Sequence, residues 1–438
     1  MHNLALALQQ KGDRITGSDD AIFEPSRSRL EAHGLLPDEL GWFPERIHEG
    51  LDAIILGMHA KGDNPELLRA QELGIKIFSY PEFLYEHSKN KTRVVIGGSH
   101  GKTTITSMIL HVLKYHGIEV DYMVGAQLEG FDRMVHLTSE NEIIVLEGDE
   151  YLSSPIDLRP KFHLYQANIG LISGIAWDHI NVFPTFDNYV DQFRIFTDTM
   201  VKGGMMVYNE EDAVVKELVE ASQNQIKKYP YRTPAYRVEN GVAVLETGEG
   251  DIPLQVFGRH NLQNLEGARS ICFHLGVSEE EFYEAIADFK GASKRLEKIA
   301  EKGSTVIFKD FAHSPSKVEA TTRAVREQFP DRRLLACLEL HTYSSLNEGF
   351  LKEYKNTLDA ADTGVVFYSP HAVEIKRLKK VTREQIFDSF QREDLIIYTD
   401  PAAFRQYLFS QNLQNTVLLL MSSGNYGGLD LEEVKNLV

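Results

Sequence analysis

Residues 97–104 read Gly-Gly-Ser-His-Gly-Lys-Thr-Thr and directly follow the apolar run Val94-Val95-Ile96. A strand, a glycine-rich turn, a lysine with two threonines and then an amphipathic helix make a phosphate cradle. Glycines let backbone N–H groups approach phosphate oxygens, and the helix N-terminus adds a favourable dipole. Ile105, Met108, Ile109 and Val112 fall at i, i+3, i+4 and i+7, which gives the helix one apolar face. The strict pattern GxxxxGK[ST] wants a glycine where Ile96 stands, so the match lies in architecture rather than in every letter. Lys102 then supplies a point charge to terminal phosphates, and the Thr103 hydroxyl a ligand for Mg²⁺.

Upstream, HNLALALQQK (2–11) reads as a short helix with Leu4, Ala5 and Leu8 on one face and Gly12 as its stop. RITGSDD (14–20) reads as a strand ending at Ser18 and Asp19, and LDAIILGM (51–58) as another. Asn64-Pro65-Glu66 opens a helix with a cap and a first-turn proline. Such alternation gives a parallel sheet. In nucleotide-binding α/β units a glycine loop joins the first strand to the first helix, and an acidic residue closes the second strand. Here the first helix begins at Met1 and that strand and loop are not found before it. This fits a shortened chain or a misplaced start, or else a fold built without them.

Downstream, three strands run into polar residues. IIVLEGDE (143–150) ends in Glu147, Asp149 and Glu150, LISGIAWDH (171–179) in Asp178 and His179, and TVIFKDFAH (305–313) in Asp310 and His313. The carboxyl ends of parallel strands are where α/β sheets bind ligands. A carboxylate facing the phosphate loop there would hold Mg²⁺ against the phosphates.

The 438 residues are enough for about three domains. Polar EHSKNK (86–91) and GASKR (291–295) mark the boundaries, giving segments 1–88, 89–292 and 293–438. A formal charge of −18 argues against a nucleic-acid partner, which needs a basic surface. Cys272 and Cys337 sit in apolar context and read as buried thiols in a reduced cytoplasm. No signal peptide or membrane-length apolar span is found.

Together these pieces resemble the Mur ligase family, the ATP-dependent amide ligases of peptidoglycan assembly, over essentially the whole chain. The resemblance implies an α/β fold of three domains: a Rossmann-like domain for the UDP-substrate, a central ATPase-type parallel sheet, and a Rossmann-like domain for the amine. It implies ATP bound by Gly98, Ser99, His100, Gly101, Lys102, Thr103 and Thr104. GRHNLQN (258–264) is similar to the adenine-contacting segment, through His260, Asn261 and Asn264. Arg295 in SKRLE resembles the arginine that reaches the γ-phosphate, and Asp310 in KDFAHSP the aspartate that helps seat the nucleotide. Glu147 and His179 resemble the Mg²⁺ ligands, with Thr103 as the loop hydroxyl.

His100 and the DFAHSP pattern are similar to members that use UDP-N-acetylmuramate itself. One kind adds L-alanine, and the other adds the tripeptide L-alanyl-γ-D-glutamyl-meso-diaminopimelate. The spacing between Glu147 and His179 fits the tripeptide kind. In ELHTYSSLNEG (339–349), Thr342 and Ser345 stand where alanine-adding members tend to carry arginines, and His341 where tripeptide-adding members usually show one. Ser18, Asp19, His100, His313 and His341 are the implied substrate-binding residues. The implied protein is a cytoplasmic monomer or homodimer that binds neither membrane nor nucleic acid. Folate polyglutamylation fits the loop and the amino-terminal segment poorly. A nucleotide-binding relative that has lost its ligase activity is the alternative of another class.

Overall fold

The computed structural model describes residues 1–438 except Glu129, Glu249, Lys376, Arg377, Leu378 and Lys380. By its internal contacts the chain forms two compact units. The first comprises Met1–Gly98, Leu113–Ser173 and Val190–Pro230; the second comprises Ser99–Val112, Gly174–Tyr189 and Tyr231–Val438.

In the first unit the expected helix runs from His2 to Lys11 and stops at Gly12, whose φ of 104° is left-handed. Strands β1 (Ile54–Leu56) and β2 (Ile77–Ser79) pair in parallel. Between them lies the helix Pro65–Glu72, where Asn64 accepts from the Glu66 and Leu67 amides at 2.9 and 3.1 Å, the cap the sequence signals. The expected strand over RITGSDD does not form. Residues 13–19 carry no strand assignment and are mostly exposed. A strand exists only where a neighbour completes its hydrogen-bond ladder, and here Gly41 N–H donates to the Asp19 carbonyl in isolation.

A seven-stranded sheet follows: β3 (Thr92–Gly97), β4 (Asp121–Met123), β5 (Val135–His136), β6 (Ile143–Glu147), β7 (Ile169–Ile172), β8 (Met205–Asn209) and β9 (Lys227–Tyr231). Their spatial order is β5-β4-β6-β3-β7-β8-β9. Strand β3 lies parallel between β6 and β7, so Ile96 faces Glu147 on one side and Leu171 on the other. Val94, Val95 and Ile96 have no exposed surface, as expected of a parallel strand covered on both faces. The carboxyl ends of β3, β6 and β7 therefore share one edge. LISGIAWDH departs from expectation: β7 stops at Ile172, and Asp178 and His179 lie on the irregular segment beyond it.

The second unit holds a three-stranded antiparallel sheet, β10 (Tyr236–Glu239), β11 (Val242–Thr247) and β12 (Gly250–Leu254). It also holds β13 (Glu297–Lys302), β14 (Thr305–Asp310), β15 (Arg333–Leu340), β16 (Thr363–Tyr368), β17 (Ile396–Tyr398) and β18 (Thr416–Met421), in the order β13-β14-β18-β15-β16-β17. All neighbours in this six-stranded sheet are parallel except β13 and β14. Alternate residues serve two cores. Val306, Phe308, Leu334 and Ala336 pack in one cluster, and Ile307, Leu335 and Cys337 in the other. That division is the period-two side-chain rule acting on a sheet covered on both faces. Cys272 and Cys337 are both buried free thiols. No helix among the described residues is long and apolar enough to cross a membrane.

Candidate active site

The phosphate loop leaves β3 and enters the helix Lys102–Tyr115. Ile105, Met108, Ile109 and Val112 are fully buried, as their spacing requires. Gly98 has φ 138° and Gly101 has φ 79°. A Cβ on Gly101 would lie 2.4 Å from Asn264 Oδ1, so only glycine admits this approach. Asn264 belongs to the helix Arg259–His274, which GRHNLQN opens after Gly258. Gly101 and Asn264 both lie in the second unit. The nearby His260 ring is held down at about 4 by burial, with His100 adding to the effect. Asn261 donates to the Phe257 carbonyl at 2.9 Å. Thr103 and Thr104 are buried, and Lys102 is partly buried.

Ser99 serves the scaffold. Its hydroxyl accepts from the Ala176 amide at 2.8 Å and from the Tyr189 hydroxyl at 3.0 Å, fastening the segment that carries Asp178 and His179.

Arg295 reaches the loop. Its Nη2 donates to Thr103 Oγ1 at 3.3 Å, and its guanidinium lies 4.8 Å from the Phe311 ring centre. Asp310 holds the turn that aims it. The buried carboxylate accepts from the Leu296 amide and, at 2.6 Å, from the Ala312 amide. Lys294 and Leu296 flank Arg295 at φ 59° and 48°, conformations costly for L-residues unless the surroundings fix them. Burial pushes the Asp310 carboxyl up, and Arg295 pulls it back.

Glu147 ends β6 in the first unit, where Oε2 accepts from the Gly125 amide at 2.7 Å. His179, in the second unit, has φ 54°, and its amide donates to Asp178 Oδ1 at 2.7 Å. Among the described residues no group of three or more His, Cys, Asp or Glu side chains could hold a metal. The Thr103 hydroxyl and the Glu147 carboxylate are oxygen donors of the kind Mg²⁺ takes, whereas imidazole is a commoner ligand of softer metals.

A second cluster, largely invisible in the sequence, also lies in the second unit. Asp178 is 5% exposed. Lys317 Nζ lies 3.7 Å from its Oδ2, and Ser344 Oγ 3.5 Å from its Oδ1. Burial pushes the Asp178 carboxyl up, but Lys317, His179 and His313 draw it below the ordinary range. His313 Nδ1 donates to the Phe311 carbonyl at 2.7 Å, which leaves Nε2 as the acceptor of a neutral ring. Burial, followed by Lys317, holds that ring at about 4. Beside Ser344, the Thr342 and Ser345 hydroxyls bond each other at 3.0 Å.

His341 Nδ1 lies 3.6 Å from Oε1 of Glu339, a buried carboxylate that also accepts from the Ser422 hydroxyl and the Tyr426 amide. A Cβ on Gly424 would meet Glu339 Oε2 at 2.8 Å. Glu339 was readable in principle as a fourth strand-end carboxylate, since LELH closes an apolar run. Ser18 is partly exposed and Asp19 exposed, on the segment of the first unit without strand partners.

Three family models match in succession: "Mur ligase family, catalytic domain" over residues 1–92, "Mur ligase middle domain" over 96–272, and "Mur ligase, glutamate ligase domain" over 294–424. A UDP-N-acetylmuramate–L-alanine ligase from Sulfurihydrogenibium is 31% identical, covering 84% of this chain and 79% of that protein. The fold is shared with a murein peptide ligase from Psychrobacter arcticus, with TM-score 0.69 and 20% identity over 100% of this chain and 96% of that one. It is shared too with a UDP-N-acetylmuramate–alanine ligase from Thermotoga maritima, with TM-score 0.70 and 18% identity over 97% and 94%. With its glycine loop, the arginine that reaches it and three matching segments, the chain belongs to the Mur ligase family of ATP-dependent, amide-forming ligases.

Proposed function

We propose that this enzyme joins UDP-N-acetylmuramate to L-alanyl-γ-D-glutamyl-meso-diaminopimelate, consuming ATP with Mg²⁺, as a muropeptide ligase of peptidoglycan recycling. In this reading residues 1–88 bind the UDP-substrate, 89–292 bind ATP, and 293–438 bind the amine, in the cytoplasm. The observation that carries the phosphoryl-transfer half is the Arg295 guanidinium on Thr103 of the phosphate loop. What favours a peptide over L-alanine is the 342–345 turn, where the Thr342 and Ser345 hydroxyls satisfy each other and present no cation sized for one small amino acid.

The lactyl carboxylate is a poor electrophile and needs a leaving group. Its oxygen attacks the γ-phosphorus, the bond to the β-phosphate oxygen breaks, and an acyl phosphate and ADP result. The peptide nitrogen then attacks the acyl carbon, and phosphate leaves the tetrahedral intermediate as the nitrogen loses its proton. Phosphoryl transfer asks chiefly for positioning and charge stabilisation. Lys102 and Arg295 supply fixed positive charge, and the Gly101 turn lets backbone amides approach. Thr103, Glu147 and His179 are the side chains we assign to Mg²⁺, which when bound offsets charge on the phosphates. Neutral His313, with Nε2 as an acceptor, is suited to meet the incoming amine.

The second reading is the L-alanine-adding reaction, favoured by the printed name of the 31% identical relative. The test is product formation from UDP-N-acetylmuramate and ATP with tripeptide or with L-alanine, resolved by mass. Tripeptide product supports the recycling ligase; product with L-alanine alone supports the second reading.

A further inference from the structure

We propose that buried Glu339 holds the second ammonium group of the incoming peptide, the one at the far end of its diaminopimelate residue, and so selects a diamino acid there. The inference rests on the ligase reading and deepens it by naming a residue that reads the distal end of the amine. Glu339 is 2% exposed, and the mechanism above makes no use of it. Its Oε2 is satisfied, since the Ser422 hydroxyl and, at 2.8 Å, the Tyr426 amide donate to it. Its Oε1 accepts no hydrogen bond among the described residues. The nearest basic group there is the His341 imidazole at 3.6 Å, and no lysine or arginine pairs with it. A carboxylate buried without a cation is costly, so this oxygen suits a cation that arrives with the substrate.

The place of Glu339 in the sheet favours a ligand. It is the last residue but one of β15, beside the end of β18, where Leu338 pairs with Met421. After β15 the chain packs Phe350, Leu351 and Tyr354 into the core on one face, and after β18 it packs Val434 into the core on the other. Adjacent parallel strands whose connections leave to opposite faces open a crevice at their carboxyl ends, where α/β sheets bind ligands. Gly424 brings the loop after β18 against the carboxylate, since a Cβ there would lie 2.8 Å from Glu339 Oε2.

Distance decides which amino group is held. Met421 also pairs with Asp310, so Glu339 lies two strand spacings, about 10 Å, along the same edge from the aspartate that steadies Arg295. An extended tripeptide also spans about 10 Å. Its diaminopimelate thus reaches Glu339 while its alanine nitrogen stays at the phosphoryl end, and free L-alanine is too short to do both. The attacking nitrogen must shed its proton, which a neighbouring carboxylate opposes, whereas the distal ammonium keeps its charge throughout.

The rival role for Glu339 is to tie β15 to the 422–426 loop. Steady-state assays on the full chain separate the two by comparing the tripeptide with an analogue ending in L-2-aminopimelate, which keeps both carboxylates and lacks the distal amino group. The intact chain should show a KM for the analogue about 10-fold above that for the tripeptide, a difference of about 1.4 kcal/mol. Glu339→Gln should raise the tripeptide KM by about the same factor and move the analogue KM by less than about 3-fold. An equal rise for both peptides, or an unchanged tripeptide KM, would overturn the proposal and leave the ligase reading standing. An intact chain that makes no tripeptide product contradicts the ligase reading and the proposal together. A melting curve shows whether Glu339→Gln folds; if it does not, Glu339→Asp, which draws the carboxylate back by one methylene, replaces it with the same split expected between the two peptides.

Discussion

Asp310, the last residue of β14, and Asp178, on the irregular segment after β7, are both buried aspartates of the second unit, and they are spent differently. Asp310 is wired to backbone: the Leu296 and Ala312 amides point at it, and the strained turn carrying Arg295 depends on that acceptor. Asp178 accepts the adjacent His179 amide and otherwise faces side chains from distant segments, Lys317 and Ser344. Burial raises the Asp310 carboxyl, whereas neighbouring charge brings Asp178 below the ordinary range. In the proposed reading the nucleotide end is thus held by geometry that few substitutions could reproduce, and the proposed amine end by side-chain pairs that can be exchanged singly.

The largest expected effect lies at the nucleotide end. Lys102→Ala should lower ATP turnover by on the order of 10³-fold, because the terminal phosphates lose their fixed charge. Undiminished turnover, measured as ADP release, would sink the phosphate-loop assignment. Next comes the comparison itself. Asp310→Ala strands two buried amides and should cost about 2–4 kcal/mol of stability, with kcat falling as Arg295 loses its aim. Asp178→Asn keeps the shape and should lower the melting temperature less than Asp310→Asn does; the reverse order would break the contrast drawn between the two aspartates. A smaller effect is expected from Gly101→Ala, which forces a Cβ against Asn264 at a φ costing about 1–2 kcal/mol. The KM for ATP should rise, and the Gly101→Ala/Asn264→Ala pair should recover part of it.

The smallest effect is one of pH. Burial holds His163 and His260 at about 4, against 6.5 for the free side chain. Both are neutral in the folded chain at pH 7, and the unfolded chain takes up their protons first as pH falls. The stability they contribute is present in full above pH 6.5 and is lost between 6.5 and about 4. For His163, which is 7% exposed, the steepest loss is about 1.4 kcal/mol per pH unit. Denaturant midpoints through this window should fall, and His163→Gln should flatten the fall; an unchanged slope would contradict the assignment.

What the sequence reveals follows the same division. The loop, its helix and Glu147 are legible because strand, glycine turn and apolar periodicity are local patterns. Asn264 near the nucleotide becomes an expectation only through family resemblance, since an Arg-His-Asn run alone reads as a polar turn, and its close approach to Gly101 is announced by nothing in the sequence. The RITGSDD strand is misread because alternation describes a residue's faces and says nothing of a ladder partner. His179 is placed at a strand end when it lies on a loop beyond Ile172, because the apolar run continues past the last paired residue. The bonds of Asp310 to residues 296 and 312 depend on left-handed turns at Lys294 and Leu296, which no side-chain pattern announces. Lys317 reads as an ordinary solvated helix lysine until folding brings Asp178 and Ser344 beside it.

The most direct test of the central claim is the mass of the product formed from UDP-N-acetylmuramate, ATP and Mg²⁺ when tripeptide and L-alanine compete at equal concentration. The account predicts the UDP-N-acetylmuramyl-tripeptide with one ADP per bond formed. A UDP-N-acetylmuramyl-alanine product, or no ATP-dependent product from either amine, would contradict it.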